Sequence, residues 1–231
     1  MQLRHDQLPR AVLFDIDGTL VDSVDLHAAA WQETLRRFGR DLAYPAVRLQ
    51  IGKGGDQLLQ TLIGPRETNA RGEEIERDCG TLFAQRYLRL VRPFPGVRPL
   101  FAAIRRRGQR LALTSSAEKS ELAHYKTLLR IGDLIDAEVC GDEVERSKPD
   151  PEIYTKALAK LGLPAAAAIA VGDTPYDAEA AGKAGIRAIG VLSGGFPRRS
   201  LEAAGCRAIY TDVLALLAAY ELSPLAIPAV A

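Results

Sequence analysis

Four short polar clusters carry the residue types that do chemistry, and each follows or interrupts an apolar stretch. The first is Phe14-Asp15-Ile16-Asp17-Gly18-Thr19-Leu20. In extended backbone, side chains two residues apart point the same way, ~6–7 Å apart. That spacing places Asp15 and Asp17 toward one site, with Gly18 supplying a bend. Two carboxylates so close are costly unless a cation lies between them or their surroundings differ. A solvated acidic turn reads the same way when taken alone. The second cluster is Leu113-Thr114-Ser115-Ser116, whose hydroxyls can donate to a phosphate oxygen or cap a helix. The third is Ser147-Lys148-Pro149-Asp150-Pro151, where prolines limit the freedom of Lys148; an exposed loop lysine is the plain alternative. The fourth is Val171-Gly172-Asp173-Thr174-Pro175-Tyr176-Asp177. Asp173 ends an apolar run, and Asp177 follows near the start of a helix that it can cap.

Together the clusters supply three or four carboxylates, a lysine and a hydroxyl. That inventory suits a hard, oxygen-ligated Mg2+ and a phosphoryl group. The glycine-rich GxxxxGK[ST] loop is missing, which excludes a P-loop nucleotide hydrolase.

The elements that must position these clusters can be read from periodicity. Short apolar runs, each too short for a helix, occur at 11–14, 110–114, 137–140, 168–171, 187–192 and 208–211. They read as strands buried on both faces. Amphipathic helical patterns at 97–108, 120–132, 151–162 and 176–185 lie between them. Gly108, Gly132, Gly162 and Gly185 stand where helix-ending glycines are expected, and Asp150-Pro151 reads as a helix start. This alternation predicts an α/β fold with a Rossmann-like parallel sheet, and ligands of such sheets bind at the carboxyl ends of the strands. From Ser23 to Arg92 only helical periodicity is found, at 24–39, 55–64 and near 73–90. The expected organisation is a core of residues 1–22 and 93–231 with a helical insertion of 23–92, hinged near Val21–Ser23 and Arg92–Gly96. The apolar C-terminal stretch SPLAIPAVA, broken by Pro224 and Pro228, reads as a tail on the surface, with a contact to a partner subunit as the other reading.

Composition narrows the function class. Hydrophobic residues at 47% and charged residues at 26% exclude a disordered chain, a collagen and a coiled coil. A net charge of +1 gives no bulk attraction to nucleic acid or anionic membrane. No apolar run reaches the ~18 residues of a membrane span, and the polar start MQLRHDQLPR lacks the apolar region of a secretion signal. Cys79, Cys140 and Cys206 are scattered, which fits a reducing cytoplasm rather than a disulfide framework or a zinc site.

The set DxDGT, a hydroxyl-ended strand, a lysine before proline and GDxxxD resembles the haloacid dehalogenase superfamily, in its phosphatase branch. The resemblance covers nearly the whole chain. The insertion resembles the helical cap of phosphoglycolate phosphatase and β-phosphoglucomutase relatives, and Val21 to Trp31 (VDSxxxHxxxW) resembles the same subgroup. It implies Asp15 as nucleophile, Asp17 as general acid and base and as a ligand through its carbonyl, and Asp173 as the further Mg2+ ligand. It also implies Asp177 behind that ligand, and Thr114, Ser115 and Lys148 on the phosphoryl oxygens. Lys53, in the glycine-rich cap loop 51–56, is expected to face the substrate; a surface lysine in a flexible loop is the other reading. Trp31 is expected to pack beneath the cap, and His27 to hydrogen-bond near the site mouth. The implied activity is hydrolysis of a small phosphorylated metabolite, phosphoglycolate- or sugar-phosphate-like, by a monomer or homodimer. A sugar phosphomutase is the nearest alternative, though the loop GKGGDQ lacks the arginine that mutase relatives carry; Lys53 or Arg48 would have to replace it. A non-catalytic regulatory use of the scaffold is the alternative from another class.

Overall fold

Strands hidden on both faces form the centre of the molecule, whose computed structural model describes residues 8–227. The first strand, β1 (Ala11–Phe14), is followed by a short β2 (Val21–Asp22). Four helices come next: α1 (Val24–Arg37), α2 (Tyr44–Arg48), α3 (Gly55–Ile63) and α4 (Pro65–Leu82). The last runs on through a π turn and a 3-10 turn to Leu90. The chain returns through β3 (Arg92–Pro93) and then alternates. The remaining elements are α5 (Val97–Arg106), β4 (Arg110–Thr114), α6 (Lys119–Leu129), β5 (Ala137–Val139), α7 (Glu152–Leu161) and β6 (Ala168–Gly172). After them come α8 (Pro175–Lys183), β7 (Arg187–Val191), α9 (Arg198–Ala203), β8 (Cys206–Tyr210) and α10 (Val213–Ala218).

Six strands form one parallel sheet in the order β5-β4-β1-β6-β7-β8. The central β1 pairs with β4 on one side and β6 on the other, so the strand order reverses there, where ligands of such sheets bind. Alternation along the strands sorts the core. Val12, Phe14, Leu111, Leu113, Ile169 and Val171 face the side covered by α5, α6 and α10, with Phe14 against Phe101 at 4.7 Å. Ala11, Leu13, Ala112, Ala168, Ala170 and Ala188 face α7 and α8, and the small side chains let those helices lie close.

Helices α1 to α4 have an apolar cluster of their own, built on Val24, Ala28, Leu35, Val47, Leu58, Leu59 and Ile75. Trp31 packs against both this cluster and the core. The two chain crossings between these helices and the sheet run side by side as the antiparallel β2–β3 pair.

Several sequence expectations are corrected. Glycines 108, 162 and 185 do end helices with positive φ, but α6 ends at Leu129 and Arg130 takes the left-handed position (φ 54°), not Gly132. The cause is Ile131, which is fully buried and whose N–H reaches back to the Lys126 carbonyl. The last helix of the insertion starts at Pro65, eight residues before Glu73, because its first turns are exposed and show no apolar periodicity. Helices α2, α9 and α10, of five, six and six residues, are too short to show helical periodicity in the sequence. Helix α7 starts at Glu152, whose N–H is accepted by Asp150 Oδ1 at 3.0 Å, one residue later than Asp150-Pro151 indicates.

The surface tail is also corrected, as far as Ile227. Ser223 and Leu225 are fully buried and Ala226 nearly so. The Gln109 amide donates to the carbonyls of Pro9 (2.7 Å) and Leu225 (2.9 Å) and accepts from Tyr220 Oη (2.9 Å). Burying a leucine and satisfying a buried amide together hold this segment down. Residues 228–231, the end of that tail, and 1–7, the start of the polar N-terminus, lie outside the described residues. Among the described residues, no helix is long and apolar enough to cross a membrane.

Candidate active site

Strand β1 stops at Phe14, and the chain then turns over the carboxyl end of the sheet. The Asp15 N–H donates to the Val171 carbonyl of β6 at 2.9 Å, which anchors the acid beside that strand. The N–H groups of Thr19, Leu20 and Val21 all converge on the Ile16 carbonyl. Gly18 sits in this turn at φ 81°, and a Cβ there would collide with the Asp173 carboxylate.

Lys148 is the hub of what lies beneath. Its side chain is buried, and Nζ donates to Asp15 Oδ1 at 2.6 Å and to the Thr114 carbonyl at 2.9 Å, with Asp177 Oδ1 2.8 Å away. Asp15, Asp173 and Asp177 each offer an oxygen, all within 4.8 Å of one another. The Thr19 hydroxyl lies 3.1 Å from Asp15 Oδ2 and 3.0 Å from Asp173 Oδ1, and its one proton serves either. Asp177 also caps α8: its Oδ2 accepts from Thr174 Oγ1 at 2.6 Å and from Thr174 N at 3.2 Å. Asp177 therefore caps its helix, as one reading of the sequence has it, and also pairs with Lys148.

Three buried carboxylates face one lysine, so the cluster lacks positive charge. Burial, reinforced by Asp177, pushes the Asp15 carboxyl up to about 7 against the pull of Lys148. Burial, with Asp15 and Asp177, raises Asp173 well above the usual carboxylate range. Asp173 Oδ2 is buried with no hydrogen-bond partner. An unpaired hard oxygen in an over-negative pocket is what a divalent cation satisfies, so these residues fit such an ion.

Asp17 departs from the two-residue rule. Because β1 has already ended, its carboxylate turns away from Asp15 and Asp173 toward α1. Oδ1 accepts from Ser23 Oγ at 2.6 Å and lies 3.1 Å from His27 Nε2. His27 Nε2 is also 3.2 Å from Glu121 of α6, and its ring stacks on Phe83 at 3.8 Å. Burial would raise Asp17, but the charge and hydrogen bond of His27 and those from Ser23 and Tyr125 hold it below the usual range. Burial likewise opposes a charged His27, yet Glu121 and Asp17 push its pKa up to about 10. This pair is therefore carboxylate and imidazolium.

Asp15 and Asp17 nonetheless line the same cavity, of about 300 Å³, between the sheet ends and α1 to α4. The hydroxyls are placed unexpectedly. Thr114 Oγ1 donates to the Phe14 carbonyl inside the sheet at 3.2 Å, and Ser115 Oγ accepts from Ala117 N at 3.1 Å. Of the hydroxyls at 114–116, the one that lines the cavity is that of Ser116, which has no partner among the described residues. Its place two residues past the strand end at Thr114, where the chain leaves the ladder, was the available signal. Lys53 lines the cavity, but its amine donates to Gln50 Oε1 (2.7 Å) and Thr61 Oγ1 (3.1 Å) and lies over the Tyr176 ring. Contacts from α2, α3 and the loop between them hold this side on the sheet ends. Tyr176 Oη donates to the Leu49 carbonyl at 2.6 Å, and Asp56 Oδ2 accepts from Ser147 N at 3.3 Å.

A family profile for haloacid dehalogenase-like hydrolase matches residues 12–191, a span running from β1 to β7 and holding all four clusters. The chain belongs to the haloacid dehalogenase-like hydrolases. It is 30% identical over 221 residues to a phosphoglycolate phosphatase of Pseudomonas putida, covering 94% of this chain and 81% of that one. To phosphoglycolate phosphatase 1 of Pseudomonas aeruginosa it is 33% identical over 193 residues, covering 81% and 71%. Among solved structures, a hydrolase from Pseudomonas syringae superposes with a TM-score of 0.85 at 29% identity, covering 93% of this chain and 98% of that one. CbbY from Rhodobacter sphaeroides, in complex with phosphate, superposes with a TM-score of 0.72 at 26% identity over 90% and 96%. This haloacid dehalogenase-like hydrolase is an enzyme, and its relatives make it a phosphatase.

Proposed function

We propose that this enzyme hydrolyses phosphomonoesters of a small metabolite through an aspartyl-phosphate on Asp15, with Mg2+ as its metal. The observation that carries the reading is the buried Asp15–Lys148–Asp177 chain beside the unpaired oxygen of Asp173. Asp15, Asp173 and the Asp17 carbonyl would hold the metal. When bound, it supplies positive charge that lets an anionic nucleophile approach an anionic phosphate.

An Asp15 carboxylate oxygen attacks phosphorus, and the bond from phosphorus to the leaving oxygen breaks. Asp17 gives the leaving oxygen a proton drawn from the His27 imidazolium beside it. A water molecule then attacks phosphorus, Asp17 takes its proton and passes it back to His27, and the bond to Asp15 breaks to release phosphate. Lys148 holds Asp15 in place and offsets charge, and Ser116 donates to a phosphoryl oxygen. Residues 23–92 form a cap over a core of 1–22 and 93–231, and the β2–β3 pair is the hinge that lets it open for substrate. The three unpaired cysteines fit a cytoplasmic site of action.

Hydrolysis is favoured over a mutase reaction because Arg48 and Lys53 are engaged. Arg48 donates to Asp25 at 2.6 Å and to the Gly194 carbonyl at 3.2 Å, and Lys53 to Gln50 and Thr61, so neither residue is free to hold a second phosphate. The test is phosphate release from p-nitrophenyl phosphate with Mg2+, with EDTA, and in Asp15→Asn. Release that needs Mg2+ and disappears in the variant is expected; undiminished turnover in Asp15→Asn removes the nucleophile.

A further inference from the structure

The cavity wall beyond Asp15 and Asp17 is acidic and, among the described residues, carries no available cation. Glu76 of α4 and Glu118, at the start of α6, both line it, together with Glu121. Glu121 is taken up by His27 and by Tyr125 Oη, which donates to it at 2.6 Å. Glu76 is different: the charges acting on it are all carboxylates, those of Asp56, Glu73 and Glu118. Burial and these neighbours push its carboxyl up to about 7. The cationic side chains on the same wall are Lys53 and His27, and both are occupied, one inside α2–α3 and over Tyr176, the other between Asp17 and Glu121. Lys148 lies below, held by Asp15 and Asp177. Trp31 and Phe83 supply the apolar and π surface of the wall.

We infer that the leaving group of the substrate is an alcohol bearing an ammonium group, which lies between Glu76 and Glu118 and against the Trp31 face. This narrows the proposed phosphatase reading and rests on it. A cation there meets two carboxylates and an aromatic face, the surroundings that favour ammonium ions. A leaving group ending in carboxylate meets two like charges and no counter-charge. A neutral hydroxyl gains hydrogen bonds but not the charge attraction. The cavity, at about 300 Å³, suits an ester of a few carbons. The wall therefore separates this chain from a glycolate ester, the substrate that the names of its relatives carry.

The experiment compares three esters on one two-carbon frame that end in ammonium, hydroxyl or carboxylate: phosphoethanolamine, 2-hydroxyethyl phosphate and 2-phosphoglycolate. Each is assayed for kcat/KM at pH 8, above the titration of Glu76 at about 7, and at low salt with Mg2+, with p-nitrophenyl phosphate as the reference ester. The ammonium ester should exceed the hydroxyl ester by about tenfold and the carboxylate ester by more. Added salt should compress the order. Glu76→Gln, and separately Glu118→Gln, should shrink the ammonium-to-carboxylate ratio several-fold; the ratio is the readout, since a structural defect lowers all rates together. A carboxylate or hydroxyl ester that matches or beats the ammonium ester overturns the inference, as does a ratio unmoved in both variants. If p-nitrophenyl phosphate is hydrolysed while the order is wrong, the phosphatase reading stands and only this inference falls. If no ester is hydrolysed, both fall.

Discussion

Asp15→Asn should abolish turnover and, without metal, make the protein more stable. At pH 8 Asp15 is ionised in both the folded and the unfolded chain. Its carboxyl titrates at about 7 when folded against an ordinary 3.8, a gap of about three pH units. At roughly 1.4 kcal/mol per unit, ionising it in the folded state costs about 4 kcal/mol more than in the unfolded chain. The folded state holds this proton more tightly, so its stability falls as pH rises from the ordinary carboxylate range to about 7. A neutral asparagine escapes that penalty and can still accept from Lys148. In EDTA at pH 8 the variant should gain about 2–4 kcal/mol, or roughly 5–15 °C in Tm for a chain of this size. At pH 5 the gain should shrink to about 1.5 kcal/mol or less, because the folded carboxyl is then largely protonated. Millimolar Mg2+ should narrow or reverse the order, since the wild type keeps all its carboxylate ligands. Melts by circular dichroism at the two pH values, with and without Mg2+, read this directly. A variant that is less stable than the wild type in EDTA at pH 8, or a difference that ignores pH, refutes the charge imbalance assigned to this cluster.

Three further outcomes are expected. Lys148→Met strands the Asp15 and Asp177 carboxylates and should lose about 3–5 kcal/mol in urea unfolding at pH 8, with a smaller loss at pH 5 where Asp15 takes up a proton; equal stability to the wild type at pH 8 would contradict the pairing. Ser116→Ala should lower kcat/KM by about tenfold through a lost hydrogen bond to a phosphoryl oxygen, whereas Thr114→Val should act on stability and leave kcat/KM within a few-fold; the reverse pattern would put the substrate contact on Thr114. Leu225→Ala should destabilise the fold by about 2–5 kcal/mol in chemical denaturation, because it empties a filled core position; a negligible change would return this segment to the surface.

The chain's own order carried the α/β architecture and the four clusters at strand ends. Their signals are local: short apolar runs, helix-ending glycines at 108, 162 and 185, and DxDG and GDxxxD spacings each fit within a few residues. Even so, extended geometry assigned Asp15 and Asp17 one direction, and it failed because the strand stops at Phe14 and the turn re-aims the second acid toward His27. Thr114 and Ser116 differ by one pleat and a strand end, which composition does not encode.

Sequence by itself determined which groups are available, namely the carboxylates, the lysine and the hydroxyls, and the parallel sheet that lifts them to one edge. Tertiary structure alone decided which of them touch. Lys148 lies 133 residues from Asp15 and Glu121 lies 94 from His27, and such distant partners meet only when the sheet order and the fold of α1 to α4 bring them together. The same packing leaves Glu76 without a cation and Asp173 Oδ2 without a partner, because charge balance is a property of the assembled cavity and not of any stretch of chain.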